Sequence, residues 1–451
     1  KVISYVKKQT EMTKKEIQRE LISACAEWKK TKPKTEAETK FLESQVLWDK
    51  MNETTEIVCQ KVGSLISKTK NVFKCPTTGH LFHCSYKENN EMENGEEVSS
   101  FFYDKIFFQK GTYDDLGTFK KDSKGYLKID SDITNTILNE EKYTDLQELN
   151  LYSSSPIYAS GTLVYERGYN KEAKVFYAGE EGLKPRKGMV YIDAFLNCFP
   201  FKTESDRVNA LAMLITTVFF RDELLRPALI VQGDQVDLGK SSLAKGISLI
   251  AQNGDVPKTV TYTPNEEELE KSIASHVKTD SPCIIIDNIH SKKTITSAVL
   301  ERSLTDDIVS YRQLGKNDLI QRKNIYQVFL SLNGGVFSPD LSTRSVMVDL
   351  CEDRLVDIKS KPAEGIPTAR KYKKEITEEL LYIMQDWINK KYSSNGFSAD
   401  FPKFITWAKT LYSHYSVQVC HSSSTIGLLP AESPYFCALG PVAQLDRASA
   451  F

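Results

Sequence analysis

The residues best suited to chemistry lie in segment 228–243, ALIVQGDQVDLGKSSL, where an apolar run leads into a loop bracketed by two glycines. Gly233 and Gly239 suit a loop whose backbone N–H groups must come close to phosphate oxygens, because a Cβ would block that approach. Lys240 can bring a point charge to the β- and γ-phosphates, and the hydroxyl of Ser241 stands where Mg²⁺ is ligated. The segment therefore predicts a strand, a phosphate-binding loop and a helix whose N-terminus faces the anion.

The spacing of this loop departs from the usual motif by one residue, since five residues separate its two glycines. A glycine-lysine-serine sequence also occurs in ordinary turns, so the motif alone leaves that alternative open. If the loop binds a nucleotide, Ser242 is a further predicted contact beside Ser241. The segments downstream decide between the two interpretations.

A carboxylate ends the second apolar run, SPCIIIDNIHS, in which three isoleucines precede Asp287. A continuous apolar run is typical of a buried parallel strand, and an aspartate at its end can orient Mg²⁺ and its waters. The alternative is a core strand whose last aspartate caps a turn. Many ATPases place a glutamate next, to polarise the attacking water, but this chain has Asn288. The general base therefore stays open between Glu301 and a residue of a neighbouring subunit.

A third apolar run, NIYQVFLSLNGG, ends in Asn333, whose amide can hydrogen-bond the attacking water or the γ-phosphate, the sensor 1 position. Eleven residues later, Arg344 stands among small and apolar neighbours, as expected of an arginine that reaches a transition-state charge across a subunit boundary. Taken alone, Arg344 is better interpreted as a surface salt bridge. The order of loop, acidic strand end, amide strand end and arginine favours an ATP-hydrolysing site. Its predicted catalytic residues are Lys240, Asp287, Asn333 and Arg344.

These motifs resemble those of the P-loop ATPases of phages, plasmids and integrated elements, which are related to AAA+ proteins and superfamily 3 helicases and are often associated with primases. The resemblance covers about half of the chain. It runs in the family's order through FPFKTESDRVNALAMLITTVFF, GDQVDLGKS, VTYTPNEEELEKSIAS, IIIDNIHS, VLERSLTDDIVSYRQLGKN, FLSLNGG and DLSTRSV. Two later segments, LLYIMQDWINKKY and FPKFITWAKTLYSHY, are similar to the helical tail of these ATPases.

The resemblance implies an α/β fold, with an AAA+-like P-loop NTPase core built on a parallel sheet, a mixed α+β N-terminal region and a helical C-terminal region. It implies ATP and Mg²⁺ as cofactors, with Ser241 and Asp287 as metal ligands. The implied nucleotide contacts are Gly233, Gly239, Lys240, Ser241, Ser242 and Asn288. It also implies a homo-oligomer, expected to be a hexameric ring, in which Arg344 completes the site of the next subunit.

The segment between the second and third core strands, DDIVSYRQLGKNDLIQRKN, has β-favouring residues on both sides of a Gly-Lys-Asn-Asp turn. This pattern predicts a β-hairpin with a basic tip. Superfamily 3 helicases contact DNA with the corresponding segment, so the resemblance implies that this hairpin binds the phosphates of single-stranded DNA. The implied contacts are Arg312, Lys316, Arg322 and Lys323. The alternative is a solvated hairpin whose charges only maintain solubility.

The overall composition narrows the function classes only slightly. The 451 residues include 59 basic and 60 acidic side chains, a net charge of −1, so any DNA contact has to be local. The longest apolar stretch, ALAMLITTVFF, is far shorter than the ~20 residues that cross a bilayer. The polar start of the chain predicts no signal peptide. Nine cysteines without framework spacing fit the reducing cytoplasm of a bacterial host.

The chain is expected to divide into five parts. They are a helical accessory region (1–72), a mixed α+β accessory domain (73–190), the ATPase core (191–355), a helical C-terminal region (356–418) and a disordered or spurious tail (419–451). The last segment of the tail, GPVAQLDRASAF, resembles a translation of non-coding sequence. Because the first residue is not methionine, we expect an upstream portion, for example a primase, to be missing.

The accessory domain contains four plausible zinc ligands within ten residues, Cys75, His80, His83 and Cys84. A standard site separates its two pairs by a longer loop, so the intervening PTTG is better interpreted as a hairpin tip, and zinc stays an open alternative. Residues 86–98, acidic and rich in asparagine, predict a solvated loop. The runs GTLVYERGYN and AKVFYAG predict strands.

Together these patterns predict hydrolysis of ATP coupled to translocation along DNA, or to its unwinding, during replication of a mobile element. One alternative is an ATPase that acts as a loader, regulator or defence switch and unwinds nothing. A second is a DNA-packaging motor, which needs a nuclease domain with clustered carboxylates, and no such cluster follows the core. A third is a DNA-binding scaffold with a degenerate site.

Overall fold

The structure is a computed structural model, and it describes Thr13 and residues 43–390 with internal gaps. The gaps are 115–117, 223–225, 234, 236, 253–258, 278–281, 290–293, 313–318, 334–335 and 353–360. For residues 311, 312, 319–322 and 390 it describes the backbone alone. The chain divides into two compact units, one ending at Glu148 and the other beginning at Leu149.

The first unit mixes short strands and helices. Its elements are β1 (Gln45–Asp49), α1 (Thr55–Lys68), β2 (Val72–Lys74), β3 (Leu81–Cys84), β4 (Asn89–Met92), α2 (Gly95–Phe102), β5 (Phe107–Tyr113), β6 (Phe119–Lys121) and α3 (Ser131–Asn139). They form two sheets, with strand orders β1-β5-β6 and β2-β3-β4. Helix α1 begins after Thr54, whose hydroxyl accepts the N–H of Ile57, and it buries Val58, Val62 and Ile66 in the core of this unit.

The elements of the first unit agree with one sequence prediction and contradict another. The predicted PTTG hairpin is confirmed, because β2 and β3 pair antiparallel on either side of it. The prediction that residues 86–98 form a solvated loop is wrong. Strand β4 pairs with β3 there, and the side chain of Asn94 caps α2. The sequence did not indicate β1, which pairs in parallel with β5. Apart from Thr13, residues 1–42 lie outside the described residues.

Two of the plausible zinc ligands, His80 and Cys84, have side-chain partners in this unit. The Nδ1 atom of His80 lies 3.1 Å from a carboxylate oxygen of Glu91, and the thiol of Cys84 lies 3.3 Å from the amide oxygen of Asn89. Burial lowers the pKa of His83. Among the residues that the structure describes, no group of three or more His, Cys, Asp or Glu side chains is arranged to hold a metal ion.

The second unit contains the predicted α/β core. Its elements are β7 (Leu151–Ser153), β8 (Ile157–Ala159), β9 (Thr162–Val164), β10 (Gly168–Asn170), β11 (Val175–Tyr177), α4 (Val190–Leu196), α5 (Glu204–Phe219), β12 (Ala228–Gly233), α6 (Lys240–Ile250), β13 (Thr259–Thr261), α7 (Glu266–Val277), β14 (Cys283–Ile289), α8 (Ala298–Thr305), β15 (Ile308–Arg312), β16 (Leu319–Lys323), β17 (Gln327–Leu332), α9 (Pro339–Thr343), β18 (Ser345–Leu350), α10 (Gly365–Lys371) and α11 (Lys373–Lys390).

A five-stranded parallel sheet in the order β13-β14-β17-β12-β18 forms the centre of this unit. Successive residues of its strands enter different cores, because side chains alternate between the faces of a sheet. In β12, Leu229 and Val231 pack in one cluster with α5 and α6, whereas Ala228 and Ile230 pack in a second cluster with α7 and α8. The expected α/β class with a parallel sheet is therefore confirmed.

The elements around the sheet agree with several local predictions. The run before the glycine loop forms α5, which begins with a capping box between Thr203 and Asp206. Strands β9, β10 and β11 lie in the two runs that predict strands. The segment LLYIMQDWINKKY starts within α11, whereas residues 401–415 and the tail 419–451 lie outside the described residues. Among the helices that the structure describes, none combines the length and apolar character that crossing a bilayer requires.

The predicted hairpin is confirmed in its two arms. Strands β15 and β16 pair antiparallel, with Ile308 opposite Lys323 and Arg312 opposite Leu319. The tip at 313–318, which includes Lys316, lies outside the described residues. The side chains of Arg312 and Arg322 also lie outside them.

Candidate nucleotide-binding site

The candidate site lies at the edge of the sheet where β12, β14 and β17 end, which we call the carboxyl edge. Because these strands are parallel, the residues that follow them collect at one edge, where ligands bind in open α/β sheets. Strand β17 lies between the other two, so the loop after β12 and Asp287 at the end of β14 are about 10 Å apart in the sheet. Asn333 follows β17 at the same edge.

The loop after β12, residues 233–239 (the glycine loop), contains two positions that exclude a larger residue. Gly239 has a φ of +86°, and a Cβ there would lie 2.6 Å from the Cβ of Pro362. A Cβ on Gly233 would lie 2.8 Å from the carbonyl oxygen of Leu350 and 2.7 Å from the side chain of Leu238. Leu238 is itself 5% exposed, so it anchors the loop in the core. Both glycines are therefore required by the backbone path of the loop.

Lys240 is the first residue of α6, directly after the glycine loop. Its side chain is buried, and its ammonium donates a hydrogen bond of 2.7 Å to the carbonyl oxygen of Gln235 within the loop. The positive charge therefore lies against the loop rather than in bulk solvent. Ser241 and Ser242, the next two residues, are half-buried in the first turn of the same helix.

Asp287 is the centre of a hydrogen-bond network that joins three elements. The hydroxyl of Ser241 on α6 donates to its Oδ1 at 2.6 Å, and the hydroxyl of Ser331 on β17 donates to the same oxygen. The backbone N–H of Asn288 also reaches this oxygen at 2.9 Å, and the ammonium of Lys245 lies 3.9 Å from Oδ2. Burial raises the pKa of Asp287, but these donors outweigh it and hold the pKa below its usual value.

The backbone conformation of Asn288 explains why asparagine stands where many ATPases have a glutamate. Its φ is +59°, and the register of β14 against β17 shifts between Ile286 and Ile289. Asparagine adopts this left-handed region more readily than glutamate, which gives a physical reason for the residue found here. The amide oxygen of Asn288 accepts a hydrogen bond of 3.0 Å from the side chain of Asn333. The structure therefore links the two amides directly.

Two other predicted residues, Arg344 and Glu301, have hydrogen-bond partners outside this network. Arg344 ends α9 just before β18, and its carbonyl oxygen accepts the N–H of Ala228, the first residue of β12. It lies at the opposite, amino edge of the sheet, because β12 rises about 16 Å from Ala228 to the glycine loop. Glu301 lies on α8, where its carboxylate is 3.5 Å from the hydroxyl of Ser338.

Of the four predicted DNA contacts, Lys323 is the one whose side chain the structure describes. Its ammonium forms an ion pair of 2.7 Å with Asp222, which follows α5. Lys323 is 43% exposed in its side chain, whereas that of Asp222 is 9% exposed. The charge of Lys323 is therefore already shared with a protein carboxylate at the base of the hairpin.

Sequence reasoning missed Ser331 and Lys245. Both carried a weak positional signal. Ser331 precedes Asn333 by two residues, so strand alternation places it on the same face of β17. Lys245 follows Ser241 by four residues, which places both on one face of α6. Hydroxyl and lysine side chains are too common at such positions for the signal to single them out.

No protein-family model matches this chain, and no curated protein is found to be related to it. Among solved structures, the apo NrS-1 C-terminal region is 10% identical with a TM-score of 0.40, over 83% of this chain and 76% of that one. The active helicase SCCmec type IV Cch is 12% identical with a TM-score of 0.33, over 84% and 72%. JCV helicase is 11% identical with a TM-score of 0.22, over 53% and 66%. Similarities this distant assign neither fold nor function.

Proposed function

We propose that this chain hydrolyses ATP with Mg²⁺ and couples hydrolysis to movement along DNA, or to its unwinding, in the replication of a phage, plasmid or integrated element. One observation carries the proposal, the 2.6 Å hydrogen bond between Ser241 and Asp287. It joins Ser241, on the helix after the glycine loop, to Asp287, near the end of β14, although the two residues are 46 positions apart in sequence. Phosphate binding and metal binding need this proximity.

The side chains present fit a magnesium nucleotide. The hydroxyl of Ser241 and the carboxylate of Asp287 are hard oxygen donors of the kind that Mg²⁺ prefers. The glycine loop has no Cβ at either end, and the eleven residues of α6 direct a helix N-terminus toward it. Phosphate oxygens would replace the carbonyl oxygen of Gln235 as the partner of Lys240. When bound, the metal neutralises charge on the phosphate oxygens.

The remaining roles follow from where each side chain lies. The linked amides of Asn288 and Asn333 orient the attacking water, but neither can accept its proton, so the base is Glu301 or a residue of another subunit. Arg344 lies at the opposite edge of its own sheet, so it can complete only the site of a neighbour. The chain would therefore act as a homo-oligomer, which we propose to be a hexameric ring.

The contact with DNA is assigned to the hairpin of β15 and β16. Its predicted contacts are Arg312, Lys316, Arg322 and Lys323, which would bind backbone phosphates without reading sequence. Since the chain carries a net charge of −1, such a local basic segment is the simplest way to hold a nucleic acid. Phosphates would compete with Asp222 for Lys323.

Phosphate release with and without single-stranded DNA tests the proposal. We expect Lys240→Ala to lower turnover by about 10²-fold or more, because it removes a donor aimed at developing charge. Lys271→Ala is the matched control, since that lysine pairs with Glu267 and Glu268 on the surface of α7. Equal turnover by the wild type and Lys240→Ala would remove the enzymatic claim.

Strand displacement on a forked substrate then separates the candidate activities. Displacement that depends on ATP identifies a helicase. Turnover that DNA stimulates, without displacement, identifies a translocase or loader. Turnover that DNA does not affect favours a regulator or defence switch.

A further inference from the structure

Ser331 is a buried polar residue near the end of β17, which lies between β12, the strand that leads to the glycine loop, and β14, the strand that carries Asp287. It is 1% exposed. Strand alternation places it on the same face of the sheet as Phe329, the face that α6 covers. Its hydroxyl therefore lies in the layer between the sheet and the helix that carries Lys240 and Ser241.

The hydroxyl of Ser331 makes two hydrogen bonds with opposite roles. It donates to Oδ1 of Asp287, and it accepts the backbone N–H of Asn288 at 3.1 Å. A hydroxyl can do both at once, since it has one O–H and two lone pairs. Among side chains of this size, only serine and threonine offer this combination. The contact fixes both the carboxylate of Asp287 and the left-handed backbone of Asn288.

We propose that Ser331 is a positioning residue for the magnesium nucleotide, acting through Asp287 and through the turn that carries Asn288. The inference rests on the proposed function. Oδ1 of Asp287 is oriented by two hydroxyls, those of Ser241 and Ser331, while Oδ2 faces Lys245 at 3.9 Å. If Ser241 were to ligate a bound metal through its hydroxyl, Ser331 would be the hydroxyl that still donates to the carboxylate of Asp287.

A merely structural role for Ser331 leads to a different expectation. A buried serine that only satisfies its own hydroxyl would affect the stability of the fold and leave the magnesium dependence of binding unchanged. Partners that orient a ligating carboxylate instead set the affinity for the metal, typically by a factor of 10–100. The dependence of nucleotide binding on Mg²⁺ therefore separates the two roles.

The test measures binding of a fluorescent ADP analogue to the full chain, titrated with Mg²⁺ and repeated in EDTA. We expect Ser331→Ala to raise the Mg²⁺ concentration for half-maximal binding about tenfold, with no change in EDTA. Ser331→Thr keeps the hydroxyl and should restore the wild-type dependence. Ser303→Ala is the matched control, because Ser303 is 5% exposed and donates to the carbonyl oxygen of Val299 within α8.

Two results of this test would contradict the positioning role of Ser331. Wild-type magnesium dependence in Ser331→Ala overturns the inference, and so does an equal loss of binding in Mg²⁺ and in EDTA. If Ser331→Ala does not fold, Ser331→Cys fills the site with a weak donor and should behave as expected for alanine. Failure of the wild type itself to bind the analogue removes the proposed function, and the inference with it. That result is distinct from equal binding by wild type and variant.

Discussion

The two edges of the five-stranded sheet use polar side chains in different ways. At the carboxyl edge, short hydroxyl, carboxylate and amide groups bond to one another across three elements, through Ser241, Asp287, Ser331, Asn288 and Asn333. At the amino edge, the guanidinium of Arg226 bonds to backbone carbonyl oxygens. Hydroxyl, carboxylate and amide groups that bond to one another can rotate toward a ligand, whereas a guanidinium held by four backbone carbonyls stays in place.

Arg226 is the centre of the amino edge. It is 7% exposed and lies just before β12. Its guanidinium donates to the carbonyl oxygens of Arg221 at 2.7 Å and Asn324 at 2.8 Å, with longer bonds to those of Phe220 and Tyr326. Burial lowers its pKa to about 10, so the group stays charged at neutral pH. One side chain therefore ties the end of α5 to the start of β17.

The same edge holds the base of the hairpin. The side chain of Asn324 donates to the carbonyl oxygens of Ser303 and Asp306, and its backbone N–H donates to that of Asp307. Arg226 then holds the carbonyl of Asn324. The hydrogen bonds at the amino edge therefore fix the base of the hairpin, the segment proposed to bind DNA. At the carboxyl edge, the side chains bond to one another and can change partners when the proposed ligand binds.

Of the substitutions at the two edges, Arg344→Ala is expected to have the largest effect, which is on the rate of ATP hydrolysis. An arginine that stabilises transition-state charge in phosphoryl transfer contributes on the order of 10³-fold or more to turnover. We expect phosphate release to fall accordingly, while nucleotide affinity is unchanged because Arg344 lies away from its own carboxyl edge. Arg302→Ala, which breaks an exposed pair with Glu270, is the control. A loss of nucleotide affinity would place Arg344 in its own site.

Mixing variants tests the trans role of Arg344 directly. Subunits with Arg344→Ala keep an intact glycine loop, and subunits with Lys240→Ala keep an intact arginine. Assembly of the two should regain part of the wild-type turnover, because some interfaces then combine both intact groups. An inactive mixture that demonstrably co-assembles contradicts a contribution from the neighbour.

Arg226→Ala should have the next largest effect, on stability. It leaves several buried carbonyls without a charged donor, and we expect a loss of about 3 kcal/mol in the free energy of unfolding. Arg302→Ala should cost about 0.5 kcal/mol or less, since exposed pairs contribute little. Urea denaturation followed by circular dichroism measures both. Equal midpoints for the two variants would show that the amino edge is not anchored by Arg226.

The sequence predicted the features that depend on local pattern. The apolar run before Asp287 predicted a buried parallel strand, because strands covered on both faces need no polar alternation. The glycines of the loop predicted a backbone path that a Cβ would obstruct, and the β-favouring residues on both sides of the turn predicted the two arms of the hairpin. Each of these patterns depends on residues that are close together in the sequence.

The features that the sequence could not predict depend on pairing between distant segments. Strand β1 pairs with β5, about 60 residues later, and nothing in QVLWD specifies that partner. Strand β4 is polar and joins its sheet only through β3, so its composition favoured a loop. The contact of Ser331 with Asp287 depends on the register of β17 against β14. The burial of Arg226 likewise depends on where the start of β17 lies.

Asn288 allows a smaller test of the carboxyl edge. Asn288→Gly removes the amide bridge to Asn333 but tolerates a φ of +59°, whereas Asn288→Ala loses the bridge and strains the backbone. We expect alanine to be less stable than glycine by about 1 kcal/mol. Urea denaturation measures the difference. Equal stability of the two variants would mean that the left-handed turn does not persist in solution.

The hairpin tip gives the smallest expected change, which concerns nucleic acid rather than the fold. If Lys316 binds a phosphate, Lys316→Ala should weaken binding of single-stranded DNA uniformly across sequences and lower the slope of log affinity against log salt by about 1. Fluorescence anisotropy at several salt concentrations measures the slope, with Lys271→Ala as the control. An unchanged slope would assign DNA binding to another surface. The amino edge would then fix the base of a hairpin that binds a partner other than DNA.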